Sequence, residues 1–138
     1  MTPRGAKTGR VLEKAVLPAL EEGGYAIQRQ VHVGARLGCG RHIVDAVAEK
    51  DDKQFLISLK WQQSPGTTEQ KVPYEVICLA EAVEQGAFEK AYLVLGGEGW
   101  TLREFYIGGG LDRHLTRPGA VSVVTMENFI ARANKGGL

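Results

Sequence analysis

Residues 42–61 read HIVDAVAEKDDKQFLISLKW: two apolar runs joined by a four-residue polar turn, each holding one charge that the pattern would otherwise give to an apolar side chain. Short alternating runs flanking a turn predict two antiparallel strands, His42–Glu49 and Gln54–Trp61. Period-two geometry then sets the faces. Ile43 and Val47 are expected beside Asp45, with Val44 and Ala46 opposite. Leu56, Ser58 and Lys60 share one face of the next strand, and Phe55, Ile57 and Leu59 the other. A carboxylate in mid-strand is rare unless it is paired or binds a cation, so this pair of strands constrains chemistry as well as fold.

The neighbouring segments extend the pattern. Tyr25–Val33 alternates as a strand, and Gly34–Gly40 is a glycine-bearing loop edged by Arg36 and Arg41. Upstream, Thr8 can cap a helix through Glu22 built on Leu12, Val16 and Leu20. Gly23-Gly24 ends it, and Pro18 is expected to kink it or make it restart. Downstream, Ser64-Pro65-Gly66 breaks the chain, and Thr67 or Thr68 can cap a helix through about Gln85. Lys90–Gly96 is a strongly apolar strand suited to a central position. The stretch from Trp100 to Arg117 suggests short helical pieces broken by Gly108-Gly109-Gly110. A strand at Ala120–Thr125 and a short helix to about Ala133 follow. The expected order is α-β-β-β-α-β-(α)-β-α, an α/β sandwich around a mixed sheet, in one domain spanning residues 1–138.

Two helical acids join Asp45 and Lys60 as candidates. At ~100° per residue, Glu13 falls between Leu17 and Leu20 and is expected inside the apolar stripe. Glu75 falls near Leu79 and Val72 at the edge of the buried side, with Lys71 one turn before it. Each has a plain structural reading: Asp45 can bond a turn, Lys60 can snorkel from a strand end, and Glu75 with Lys71 can be a simple i, i+4 pair. Convergence is what gives them weight. Carboxylates and one ammonium gathered between adjacent strands and flanking helices suit a hard divalent cation and a phosphodiester.

The composition excludes several classes. No apolar run reaches the ~18–20 residues of a membrane-spanning helix, and the first residues lack the apolar core of a secretory signal. Two cysteines, Cys39 and Cys78, form neither a disulfide framework nor a CxxC site, and they fit a reducing cytoplasm. Overall charge is +1, distributed as +4 over residues 1–41, −5 over 42–99 and +2 over 100–138. An acidic middle between basic flanks suits a metal site beside a polyanion-binding surface, and a chance asymmetry of a solvated surface would look the same. GAKTG is not a phosphate loop, and the three histidines have no metal-ligand spacing, so they are read as structural or surface residues.

This constellation resembles the PD-(D/E)XK nuclease superfamily, the restriction-endonuclease-like fold shared by Holliday-junction resolvases and small homing and restriction endonucleases. Its pattern is a strand Asp, then Asp/Glu-x-Lys on the next strand, often with a Glu on the preceding helix. Glu13, Asp45 and Lys60 match in turn over roughly Gly9 to Gln85. Val44 stands where the pattern has Pro, and Ser58 where it has the second acid. A subset of restriction enzymes is similar there, the carboxylate coming instead from the following helix, and Glu75 is the candidate. Glu69 at the helix start is weaker, and Gln62 can offer an amide oxygen.

The resemblance implies a Mg²⁺-dependent endodeoxyribonuclease, with Mn²⁺ able to substitute. Asp45 and Glu75 are the implied metal ligands, with the Leu59 carbonyl as a further one and Glu13 supporting a second ion or an ordered water. Lys60 would orient the attacking hydroxide. Arg4, Lys7, Arg10, Arg29, Arg36 and Arg41 are expected on the DNA, with Gln62 and Gln63 reading bases. Cutting both strands would take a homodimer or higher homo-oligomer. The substrate is branched DNA in a recombination role, or duplex DNA cut at a site. A nuclease-fold DNA-binding module without catalysis, which Ser58 favours, and an ordinary α/β domain stay open beside these.

Overall fold

A computed structural model describes residues 6–138. Helix α1 (Ala6–Val11) passes through a π turn (Leu12–Val16) into α2 (Leu17–Glu22). Three strands follow, β1 (Ala26–Arg36), β2 (Cys39–Lys50) and β3 (Lys53–Trp61). A 3₁₀ turn (Thr67–Gln70) leads into α3 (Lys71–Gln85). Then come β4 (Lys90–Gly96), α4 (Arg103–Ile107), two further 3₁₀ turns, β5 (Val121–Thr125) and α5 (Met126–Asn134). The sheet order is β1-β2-β3-β4-β5, antiparallel from β1 to β3 and parallel from β3 to β5. The expected mixed α/β architecture is present. No helix among the described residues is long and apolar enough to cross a membrane.

The amino-terminal helix differs from expectation at Pro18. It neither breaks nor restarts; it widens by a π turn, in which the Leu17 N–H reaches back to the Leu12 carbonyl. Proline has no N–H to give the preceding turn, and the wider spacing accommodates that loss. Leu12, Val16, Ala19 and Leu20 are buried, so the stripe is centred on the i, i+4 series from Leu12. Glu13, a step of about 100° from Leu12, lies outside it: its side chain is 58% exposed and pairs with Arg29 at 3.2 Å. Glu13, expected inside the apolar stripe, is thus a solvent-facing residue.

The two faces of the sheet carry separate cores. Against α2 and α5 pack Ala46, Ala48, Phe55, Ile57, Leu59, Tyr92 and Val94. An edge-on chain of rings, Tyr25–Phe55 at 6.2 Å and Tyr92–Phe129 at 5.7 Å, runs through this side. Against α3 pack Val47, Leu56, Ala91, Leu93 and Leu95. Val44 belongs to this second core together with Val47, contrary to strict alternation. The cause is a local reversal opposite Asp45. Gln30 has φ +54° within β1, and β1 changes sides there, Ile27 packing on the first core and Val31 and Val33 on the second. Val44, the direct partner of Val31, changes with it.

The β1–β2 hairpin therefore leaves the sheet as it lengthens. The β2–β3 ladder stops at Ala46↔Ile57, while β2 keeps β1 as its partner up to Arg36↔Cys39. The segment read as a loop at Gly34–Gly40 is mostly strand, turning at Leu37-Gly38. On the other side of β3, Gly97 (φ +88°) lies against the Gln62 backbone, where a Cβ would come within 2.4 Å of the carbonyl oxygen.

Candidate active site

Where β2 departs from β3, the antiparallel ladder no longer supplies an acceptor for the next strand N–H. The Asp45 side chain supplies one: its Oδ2 accepts the Leu59 N–H at 2.7 Å, in a fully buried position. A hydrogen bond to a carboxylate is stronger than a neutral one, so Asp45 serves as a stitch at the strand fork and places its carboxyl beside the residue that precedes Lys60.

Ser58 and Lys60 project from β3 on the α3 side, the side of Leu56. Glu75, in the second turn of α3, comes to meet them. Ser58 Oγ donates to Glu75 Oε2 at 3.1 Å. Two more groups close on the same carboxylate from the departing hairpin. Arg36 Nη1 donates to Oε1 at 2.6 Å, and His42 Nε2 lies 3.3 Å from Oε2. His42 is buried, and with Nε2–H donating, its Nδ1 carries a lone pair with no partner among the described residues. Burial is the largest influence on the Glu75 carboxyl and by itself would push it up. The hydrogen bonds from His42 and Arg36 and the charges of Lys60 and Arg36 outweigh it and hold the group at about 2.

A second buried glutamate stands six residues earlier. Glu69 accepts the Thr101 N–H at 2.9 Å, the Leu102 N–H, and Gln62 Nε2 at 3.2 Å. Gln62 in turn donates to the Gly99 carbonyl at 2.8 Å and accepts the Glu69 N–H at 3.1 Å. These bonds tie the loop after β3 to the segment before α4. Gln62, expected on DNA or as an amide ligand, is buried and spends its amide on this tie; Gln63 is exposed.

The remaining candidates scatter. Arg10 and Arg41 are exposed, Arg29 is engaged by Glu13, and Lys71 is exposed and does not pair with Glu75. Arg4 and the Lys7 side chain lie outside the described residues. The structure thus brings Ser58 and Lys60 to Glu75, sets Asp45 against the Leu59 N–H of the same strand, and leaves Glu13 exposed beside Arg29. Sequence reading placed Arg36 on DNA and His42 among structural residues; neither was expected at Glu75.

Residues 4–137 match the PD-(D/E)XK nuclease superfamily domain. The chain belongs to that superfamily. Among solved structures it is similar to the crystal structure of "Protein of Unknown Function AF1548", at 21% identity and a TM-score of 0.55, over 80% of this chain and 54% of that one. The chain therefore spans about half the length of that structure, and the likeness is one of fold. No curated protein matches the sequence.

Nucleases of this superfamily generally use divalent metals. Among the described residues no cluster of three His, Cys, Asp or Glu side chains converges. Asp45 and Glu75, buried carboxylates from different elements, would be the donors. Mg²⁺ is ordinarily held by one or two carboxylates completed by water and substrate phosphate, so these residues fit such an ion in number and chemistry.

Proposed function

We propose that this chain is a metal-dependent DNA endonuclease whose second acid is supplied by α3 rather than by β3. One observation carries the reading: the 3.1 Å bond from Ser58 Oγ to Glu75 Oε2. It puts a carboxylate where the side chain of an acid at position 58 would extend. Asp45 and Glu75 would hold Mg²⁺, or Mn²⁺ in its place. When bound, the ion would lower the pKa of its water and offset negative charge on the phosphoryl oxygens.

The chain's own residues do the rest. Asp45 is fixed by the Leu59 N–H, so its carboxyl has one orientation before substrate arrives. Ser58 and His42 hold Oε2 of Glu75. Lys60, half-buried at the end of β3, extends its ammonium toward the scissile phosphate and steadies the attacking oxygen. Exposed Arg10 and Arg41 would contact phosphates. Two such sites, in a homodimer, would be needed to cut both strands.

The test is cleavage of labelled four-way junctions and of linear duplexes of varied sequence, with Mg²⁺ or Mn²⁺. Asp45→Asn, which keeps an oxygen for the Leu59 N–H, and Lys60→Met should each lower cleavage at least about a hundredfold. Full activity in either variant overturns the proposal. Preferential cutting of junctions assigns a resolvase; cutting at one sequence in linear DNA assigns a site-specific enzyme. A second reading, a DNA-binding module without catalysis, is favoured by the engagement of both Glu75 oxygens by Arg36, His42 and Ser58. DNA binding that needs no metal, with no cleavage in either ion, would establish it.

A further inference from the structure

Oε1 of Glu75, the oxygen a cation would most readily take, is covered by Arg36, at 2.6 Å. The two side chains are unequal: that of Glu75 is 3% exposed, that of Arg36 27%. The carboxylate is fixed in the interior, whereas the guanidinium approaches it from the rim. Ser58 and His42 both bind Oε2, so withdrawal of Arg36 would bare Oε1 and leave the carboxylate oriented.

Arg36 is carried at the rim by an irregular stretch of the hairpin. Arg36 is the last residue of β1, immediately before the turn. The ladder shifts register between His32 and Gly34 and again between Ala35 and Arg36. Leu37 (φ +51°), Gly38 (φ +80°) and Gly40 (φ +76°) shape the tip, and a Cβ at Gly34, Gly38 or Gly40 would meet nothing within 4 Å. Leu37, however, shares a groove with Ile77 and Ala80 of α3, and the Arg36 guanidinium lies over the exposed Tyr74 ring at 5.9 Å, so the withdrawal is a swing of the Arg36 side chain and not of the hairpin. A guanidinium binds phosphate with the same planar fork that it offers a carboxylate.

On the reading proposed above, we propose that Arg36 makes the metal site conditional on DNA. In the DNA-free chain its guanidinium holds Oε1 of Glu75; a backbone phosphate draws it off, and the carboxylate is then available to a divalent cation. Metal and DNA binding are consequently coupled, each strengthening the other by the same factor.

The experiment titrates Mn²⁺ into DNA-free protein and reads free Mn²⁺ by electron paramagnetic resonance. Arg36→Gln should bind about tenfold more tightly than the wild type, within the usual range of such couplings. Arg36→Lys, which keeps the charge and loses the fork, should fall between them. In a Lys60→Met background, which blocks cleavage, fluorescence anisotropy of a labelled duplex should show Mn²⁺ tightening DNA binding with Arg36 present and much less with Arg36→Gln. Equal Mn²⁺ affinity in wild type and Arg36→Gln, both abolished by Glu75→Gln, overturns the gate and leaves the endonuclease reading standing. No Mn²⁺ binding by any variant, with folding verified by circular dichroism, overturns both.

Discussion

Glu69 and Glu75 are both buried, six residues apart, and are neutralised in different ways. Glu69 is satisfied mainly by backbone N–H groups of Thr101 and Leu102, which cannot leave without unfolding the segment, and by Gln62, itself tied at both ends of its amide. Glu75 is satisfied entirely by side chains, of Arg36, His42 and Ser58. A carboxylate held by main chain is part of the scaffold. One held by side chains can exchange partners, and exchange is what binding a substrate requires. The glutamate suited to function is the one whose partners have rotamers to spare.

That contrast can be broken in four ways. The largest effect belongs to Glu69→Ala, which strands two backbone N–H groups and the Gln62 amide. At roughly 1–3 kcal/mol for the buried Gln62 amide and less for each partly buried N–H, the loss should be about 3–4 kcal/mol in urea unfolding. A loss below about 1 kcal/mol would show that this tie is dispensable.

Next comes acid titration. The Glu75 carboxyl sits at about 2 against an ordinary 4.5, so its partners contribute stability that is complete above pH 4.5 and is lost as the pH falls through about 2. The amount is about 3 kcal/mol. Urea midpoints measured from pH 5 to pH 2 should fall steeply in the wild type and less steeply in Glu75→Gln; parallel curves would refute the assignment.

Amide substitution separates the two sites directly. At position 75 the new NH₂ can face Ser58 Oγ or a His42 nitrogen, because a hydroxyl and an imidazole can each accept as well as donate. At position 69 it would face an N–H that can only donate. Glu69→Gln should therefore cost at least about 1 kcal/mol more than Glu75→Gln, and thermal unfolding of the pair would check the order. The smallest effect is expected at Glu13→Ala. The Glu13–Arg29 pair is exposed on both sides, and its removal should change stability by less than about 0.5 kcal/mol.

The strands, the two main helices and the burial of Asp45 and Glu75 were legible in the sequence because they rest on local periodicity. A charge set into an apolar pattern is visible without any coordinates. The partners of Glu75 were not visible, since Arg36 and His42 lie 39 and 33 residues from it. Their approach depends on the hairpin changing sides at Gln30, and a glutamine with positive φ leaves no compositional mark. Glu13 was misplaced because Leu17 was given the weight that belongs to Leu12 and Val16. Gln62 read as a base contact or amide ligand and Glu69 as a weaker acid at a helix start, and only the close passage of Gly97 and Gly99 turns that loop into an interior.

The wide turn ahead of Pro18 has a consequence for how the molecule meets its surroundings. One surplus residue leaves everything upstream indexed out of step with the helix downstream. A donor restored at position 18 would let that residue be wound in, swinging Arg10 and Glu13 around the axis by about 100°. The imino acid thus sets the azimuth at which the amino-terminal cations are presented.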